Sequence, residues 1–227
     1  MNQPQVASRR PQFSLRSALV GMSLVALACG WYVSVQRQEI PPEASITGGI
    51  SAFQRASFAG GRMQDSVLRG DGATFQEATF EGANLAGAKL TASGAAFQGA
   101  TLAGCNLTGA TLSGSLSSFQ QATFAGCNFF GAVLAGDDTA FQGTSFQGAR
   151  LLGAKLRGGG QSFQGVEIDQ AQLQGANLSQ LDSVTLASWS FNSPPTYDDQ
   201  TRFPTGFDPA AHNWERAAQD SQLPAGQ

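Results

Sequence analysis

The stretch "AAFQGATLAGCNLTG" (95–109) decides the fold. A bulky apolar residue stands at every fifth position: Phe97, Leu102 and Leu107. A helix repeats every 3.6 residues and a flat strand every 2, so this backbone is neither. Extending the register in both directions gives four columns of large apolar residues. The first is Phe53, Phe75, Phe97, Phe119, Phe141 and Phe163. The second is Phe58, Phe80, Leu102, Phe124, Phe146 and Ile168. The third is Met63, Leu85, Leu107, Phe129, Leu151 and Leu173, and the fourth Leu68, Leu90, Leu112, Leu134, Leu156 and Leu178. Every column steps by 22 residues, so the unit is four five-residue segments plus two extra residues, repeated six times.

Two positions before the large residue the side chain is nearly always small, as in Ala100, Cys105 and Ala110. Residues two apart on extended backbone face the same way, so one small and one large side chain per segment point inward. Two positions after the large residue, Gly recurs at Gly82, Gly104, Gly126 and Gly148, where the chain is expected to turn at a point too crowded for a Cβ. Four turns close a square coil, and stacked coils pair their backbones about 4.8 Å apart. Six coils make a rod about 29 Å long. Each coil buries the face that its neighbour would expose.

The segments "GANLAG" (82–87), "GCNLTG" (104–109) and "GANLSQ" (175–180) resemble the pentapeptide-repeat family, whose unit is small, Asn/Asp, Leu/Phe, any, Gly. The resemblance covers residues 51–186 and implies an all-β fold, a right-handed quadrilateral parallel β-helix of about six 22-residue coils. The departure is 22 residues per coil instead of 20. The two extra residues fall before each Phe-Gln segment, in "RGDG" (69–72), "TASG" (91–94), "SGSL" (113–116), "AGDD" (135–138) and "RGGG" (157–160), and are expected to bulge as a row of surface loops.

Ser17–Gln36, "SALVGMSLVALACGWYVSVQ", carries no charge and has the length of one transmembrane helix or signal anchor. Arg9, Arg10 and Arg16 precede it and only Arg37 follows closely. The positive-inside rule then makes the chain a single-pass membrane protein with residues 1–16 as a cytoplasmic tail and the repeats periplasmic or extracellular. Other readings stay open. Ala26-Leu27-Ala28 fits a cleavage site, which would release a secreted rod. Cys29 hints at a lipoprotein, and Ser8-Arg9-Arg10 resembles a twin-arginine signal with Phe13 one position late. Residues 37–50, with Pro41 and Pro42, read as a linker.

The reactive inventory is thin: one His and three Cys in 227 residues. No catalytic, cofactor-binding or metal-ligating residue is assigned. A net charge of −3 gives no general attraction to nucleic acid, and none is expected as a partner. Cys105 and Cys127 are adjacent inward small residues, poorly placed for a disulfide. Arg69-Gly70-Asp71 and Asp137-Asp138 lie in corner inserts and read as solvated corners. One regular outward feature invites a partner. Gln54, Gln76, Gln98, Gln120, Gln142 and Gln164 each follow a first-column Phe. They form an amide ladder able to bond along the axis. Beside it runs Ser57, Thr79, Thr101, Thr123 and Ser145, broken by Glu167. This face is either structural or a flat surface for a protein or a repetitive polymer.

Residues 187–219 read as an aromatic, Pro-rich cap over the open end of the bore, where unpaired strand groups would invite aggregation. Asp208 and Pro209 announce a short helix there that carries His212 on its surface. Residues 220–227 read as a disordered tail. The reading that follows is a membrane-tethered, non-catalytic scaffold, a structural or interaction module outside the cytoplasm. An alternative comes from the family: some pentapeptide-repeat proteins mimic DNA and act on type II topoisomerases. Residues 51–186 hold nine Asp/Glu against seven Arg/Lys, a weak imitation of a duplex.

Overall fold

The computed structural model describes residues 45–47, 51–159 and 161–218. The expected transmembrane helix at 17–36, most of the linker and the tail at 220–227 lie outside them. Among the described residues no helix is long and apolar enough to cross a membrane.

The chain winds as an all-β parallel solenoid. Its one extended sheet is β1 (Ser45–Thr47), β2 (Val67–Gly70), β3 (Lys89–Ala92), β4 (Thr111–Gly114), β5 (Val133–Gly136), β6 (Lys155–Gly158) and β7 (Asn177–Gln180), parallel and in sequence order. Leu68 pairs with Leu90, Leu90 with Leu112, and so on at the 22-residue step. The second and third faces carry single parallel bridges at the same step, Thr79–Thr101–Thr123 and Asn84–Asn106–Asn128. The first face is continuous turn.

The solenoid has about eight turns, not six. The extra turns come from both ends. Ile46 lies one step before Leu68 and pairs with it, so part of the expected linker is the first rung of the sheet. At the other end, parallel bridges join Glu167 to Ser190, Gln172 to Thr196 and Asn177 to Arg202. Residues expected to cap the bore therefore build a last, irregular coil. Helix α1 (Ser183–Ala187) opens it, with Asp182 as N-cap: its Oδ1 accepts from the Thr185 amide at 2.6 Å. Leu186 is buried.

All four columns of large residues are buried except Phe53, which is partly covered at the N-terminal end. In the first column six Phe rings form one stack along the axis, with centroids 4.7–5.2 Å apart and planes 5–19° from parallel. Strand spacing sets that separation, and it falls in the range where offset stacking is attractive.

The corner glycines are needed for a different reason from crowding. A Cβ added at Gly104 or Gly126 would meet nothing within 4 Å. Both instead hold φ near +66°, which L-residues adopt at a cost. Each corner is a turn closed by an N–H three residues on, such as Ala100 to the Phe97 carbonyl at 3.0 Å. A left-handed third residue is what a type II turn demands. Crowding acts elsewhere, at the extra residues of each coil. The expected surface loops are only half formed, because the inserts lengthen the fourth face into a four-residue strand. Its last residue points inward at the Phe column: a Cβ at Gly114 would lie 2.9 Å from Phe119 Cδ2, and one at Gly136 2.8 Å from Phe141 Cδ2. The remaining insert residues turn at the surface through Gly72, Gly94, Leu116 and Asp138, all at positive φ.

Aromatics close the C-terminal end. Trp214 stacks on Trp189 (5.9 Å) and meets Phe203 and Phe207 edge-on. The strand β8 (Thr196–Tyr197) pairs in parallel with β9 (Glu215–Arg216). The short helix expected after Asp208 is a single 3₁₀ turn, Ala210–His212, ended by Asn213 in the left-handed region. Two carboxylates fasten the irregular coil. Asp169 accepts from the Asn192 amide at 2.9 Å and from the Ser193 amide. Asp198 accepts from the amides of Gly175, Thr201 and Gln200 at 2.8–3.1 Å.

Two outcomes follow from this packing. Phe119→Ala removes a ring stacked on both sides and should lower unfolding free energy by about 3–5 kcal/mol, read by urea denaturation. The second concerns acid. The Ser193 amide foremost holds the Asp169 carboxyl below its ordinary pKa, with Asn192 and Gln147 adding to it against burial. For Asp198, burial opposes ionisation, but the Gly175, Thr201 and Gln200 donors outweigh it and lower the pKa. A lowered native pKa means stability that is complete above the unfolded value, about 3.9, and lost as pH falls through the native one. The last coil should therefore loosen below about pH 4, seen as lower protection of the Asn192 and Ser193 amides against exchange relative to the intrinsic rate at the same pH. In Asp169→Asn those amides should exchange faster already at neutral pH and respond less to acid.

Candidate functional site

The Gln column forms a complete ladder. Each Nε2 donates to the next Oε1: Gln54 to Gln76 at 2.9 Å, Gln76 to Gln98 at 3.0 Å, Gln98 to Gln120 at 3.1 Å, Gln120 to Gln142 at 2.9 Å and Gln142 to Gln164 at 3.4 Å. All but Gln54 are half-buried. Each inner amide spends a donor and an acceptor on its neighbours, and one N–H and one lone pair face outward. The Ser/Thr column on the second face lies half-buried in register beside it. On the third face Asn106 donates to the Asn84 side chain at 3.2 Å, and each of these Asn oxygens also accepts from the amide two residues on.

The remaining candidates stay apart. Cys105 and Cys127 are free and buried, and each thiol donates to a backbone carbonyl, of Phe80 at 2.9 Å and Leu102 at 2.8 Å. The hydrogen bond with Cys105 and then burial push the Cys127 thiol well above the ordinary range, so it is held as a thiol. His212 is exposed and stacks on Phe207 at 4.7 Å. Gly70 of the Arg69-Gly70-Asp71 tripeptide points inward, where its Cβ would lie 3.1 Å from the Phe75 ring. That tripeptide is thus part of a strand end, not a presented loop. Asp138 accepts from the Leu116 amide at 3.3 Å, which ties one corner to the next. Among the described residues no three His, Cys, Asp or Glu side chains gather as a metal site.

Register also sorts the charges, which composition alone conceals. Over residues 51–180, the third and fourth faces and the corner between them hold Arg62, Arg69, Lys89, Arg150, Lys155 and Arg157 against Asp65. The first and second faces, the corner that follows the second, and the corner inserts hold Asp71, Glu77, Glu81, Asp137, Asp138, Glu167 and Asp169 against Arg55. Arg55 is itself paired with Glu77 at 2.7 Å. The rod has a basic side and an acidic side. A shallow groove of about 650 Å³ runs along the fourth face past Thr91, Ser113, Ser115 and Arg157.

Part of the chain resembles known proteins. The model of pentapeptide repeats matches residues 71–93 and 93–136, in eight copies. No curated protein matches the chain. Among solved structures, HetL, a pentapeptide repeat protein involved in heterocyst differentiation regulation in the cyanobacterium Nostoc sp. strain PCC 7120, aligns at 16% identity. That alignment covers 84% of this chain and 89% of HetL, with a TM-score of 0.32. QnrB1, a plasmid-mediated fluoroquinolone resistance protein, aligns at 13% identity over 82% of this chain and 87% of its own, with a TM-score of 0.31. A pentapeptide repeat protein of the Arabidopsis thaliana thylakoid lumen aligns at 26% identity over 50% and 66%, with a TM-score of 0.21. At these scores the alignments bear on neither activity nor partner. The 22-residue register on which the solenoid is wound runs through residues 71–136, the part of the chain that matches the model of pentapeptide repeats.

Proposed function

We propose that the chain is a membrane-tethered, non-catalytic pentapeptide-repeat scaffold, a structural or protein-interaction module outside the cytoplasm. The observation that carries this reading is Ser17–Gln36, about twenty uncharged residues with three Arg before them, leading within a few residues into the first rung of the solenoid. The repeats support it by where they spend their side chains. The large ones fill the bore, the amides bond to each other, and the two thiols among the described residues are buried in that bore. The Gln face, with its outward N–H and carbonyl groups at every rung, is the surface offered to a protein or a repetitive polymer.

The acidic side favours a second reading, a DNA-mimic regulator of a type II topoisomerase. Inhibition of supercoiling by the chain would support it. Seven carboxylates over six coils is a sparse imitation of a duplex that carries one charge per ~1.7 Å.

Topology separates the two. With a C-terminal tag and protease added to spheroplasts, the tethered reading expects a membrane-bound full-length chain whose tag is lost. A protected tag would put the rod in the cytoplasm and overturn the proposal. The Gln ladder has its own test. Gln98→Ala breaks the bonds to Gln76 and Gln120 and should cost about 1–2 kcal/mol of stability. A captured partner lost in this variant at full stability would assign the ladder to binding instead.

A further inference from the structure

The basic side of the rod also carries an exposed aromatic residue. Phe130 is 58% exposed at the corner between the third and fourth faces. The bridge between Asn128 and Arg150 sets Leu152 beside it one rung on, and Val133 lies half-exposed on β5, paired with Lys155. Arg150, Lys155 and Arg157 are exposed in the same two coils, and Asp137, which lines the fourth-face groove with Arg157, is the carboxylate that borders them. The chain enters the solenoid on this same side, since β1 is the first strand of the fourth-face sheet. Gln36 lies nine residues before Ser45, a span of at most about 30 Å fully extended. That matches the length of the rod's six regular coils, so the tether holds the whole basic side within reach of the bilayer.

We propose that this side docks on anionic phospholipid headgroups, so that the rod lies along the membrane instead of standing away from it. Guanidinium and ammonium groups at Arg150, Lys155 and Arg157 meet lipid phosphates, with Arg69 and Lys89 nearer the tether. Phe130 and Leu152 enter the headgroup boundary. Juxtamembrane cations and interfacial apolar side chains add in this way on an anionic surface. The acidic side then faces away from the membrane with the Gln ladder accessible. The inference rests on the proposed tether at Ser17–Gln36.

The test uses the full chain with Cys29→Ser and Leu152→Cys, the latter labelled with a polarity-sensitive fluorophore. Nanodiscs are made of phosphatidylcholine alone or mixed with phosphatidylglycerol, with a quencher on the headgroups. The expected result is blue-shifted, quenched emission only in the phosphatidylglycerol discs. It should be reversed by high salt and lost when Arg150→Gln, Lys155→Gln and Arg157→Gln are combined. A label at Thr101→Cys, on the opposite side, should respond to neither disc. Equal emission from Leu152→Cys in both discs, or equal quenching of the two labels, would overturn the docking. Failure of the chain to enter phosphatidylcholine discs would overturn the tether instead. The Leu152→Cys chain added to phosphatidylglycerol vesicles would then still read the basic side on its own: salt-sensitive quenching supports it and silence rejects it.

Discussion

Everything in this solenoid depends on the spacing that parallel backbone bonding imposes between coils. Once each coil sits about 4.8 Å above the last, a residue and its equivalent 22 positions later must accommodate each other. Flat rings satisfy this by stacking, which is why the first column is Phe in six successive coils. Amides satisfy it by donating and accepting in one direction, which is why Gln follows each of those rings. Like charges do not satisfy it. Outward cations are accordingly staggered: Lys89 pairs with Val67 and Thr111, and Lys155 with Val133 and Asn177.

That constraint explains how much of the fold was legible in the residues. The columns from Phe53 to Leu178 announce their register because every member obeys the same neighbour rule. The last coil does not. Ser190 follows Glu167 by 23 residues, Thr196 follows Gln172 by 24 and Arg202 follows Asn177 by 25. A drifting step leaves no column to follow, and carboxylates at Asp169 and Asp198 supply the order that periodicity no longer does. Ile46 was missed for the opposite reason: it keeps the step, but β1 lies between two prolines and a Gly pair that read as linker. Glycine was legible as a marker of corners but not in its cause. Gly126 and Gly114 look alike in sequence, yet the first is required by a left-handed φ and the second by an adjacent ring.

The candidate surfaces were legible to different degrees. The Gln ladder needs only the 22-residue step, because its residues are identical and consecutive in register. The division of charge needs the step and the assignment of each residue to a face. Seven bases and eight acids in residues 51–180 nearly cancel, and only their placement around the coil separates them. Position around the axis is thus the variable that carries recognition in this chain, while position along it carries stability.

Because each coil meets its neighbours through the same rings, amides and turns, an internal coil can be cut out or duplicated as a 22-residue block without leaving an unmatched edge. Removing residues 97–118 would bring Phe119 onto Phe75 and Gln120 onto Gln76. The rod is in this sense a ruler, graduated in steps of about 4.8 Å, whose reach is open to change while both its ends stay as they are.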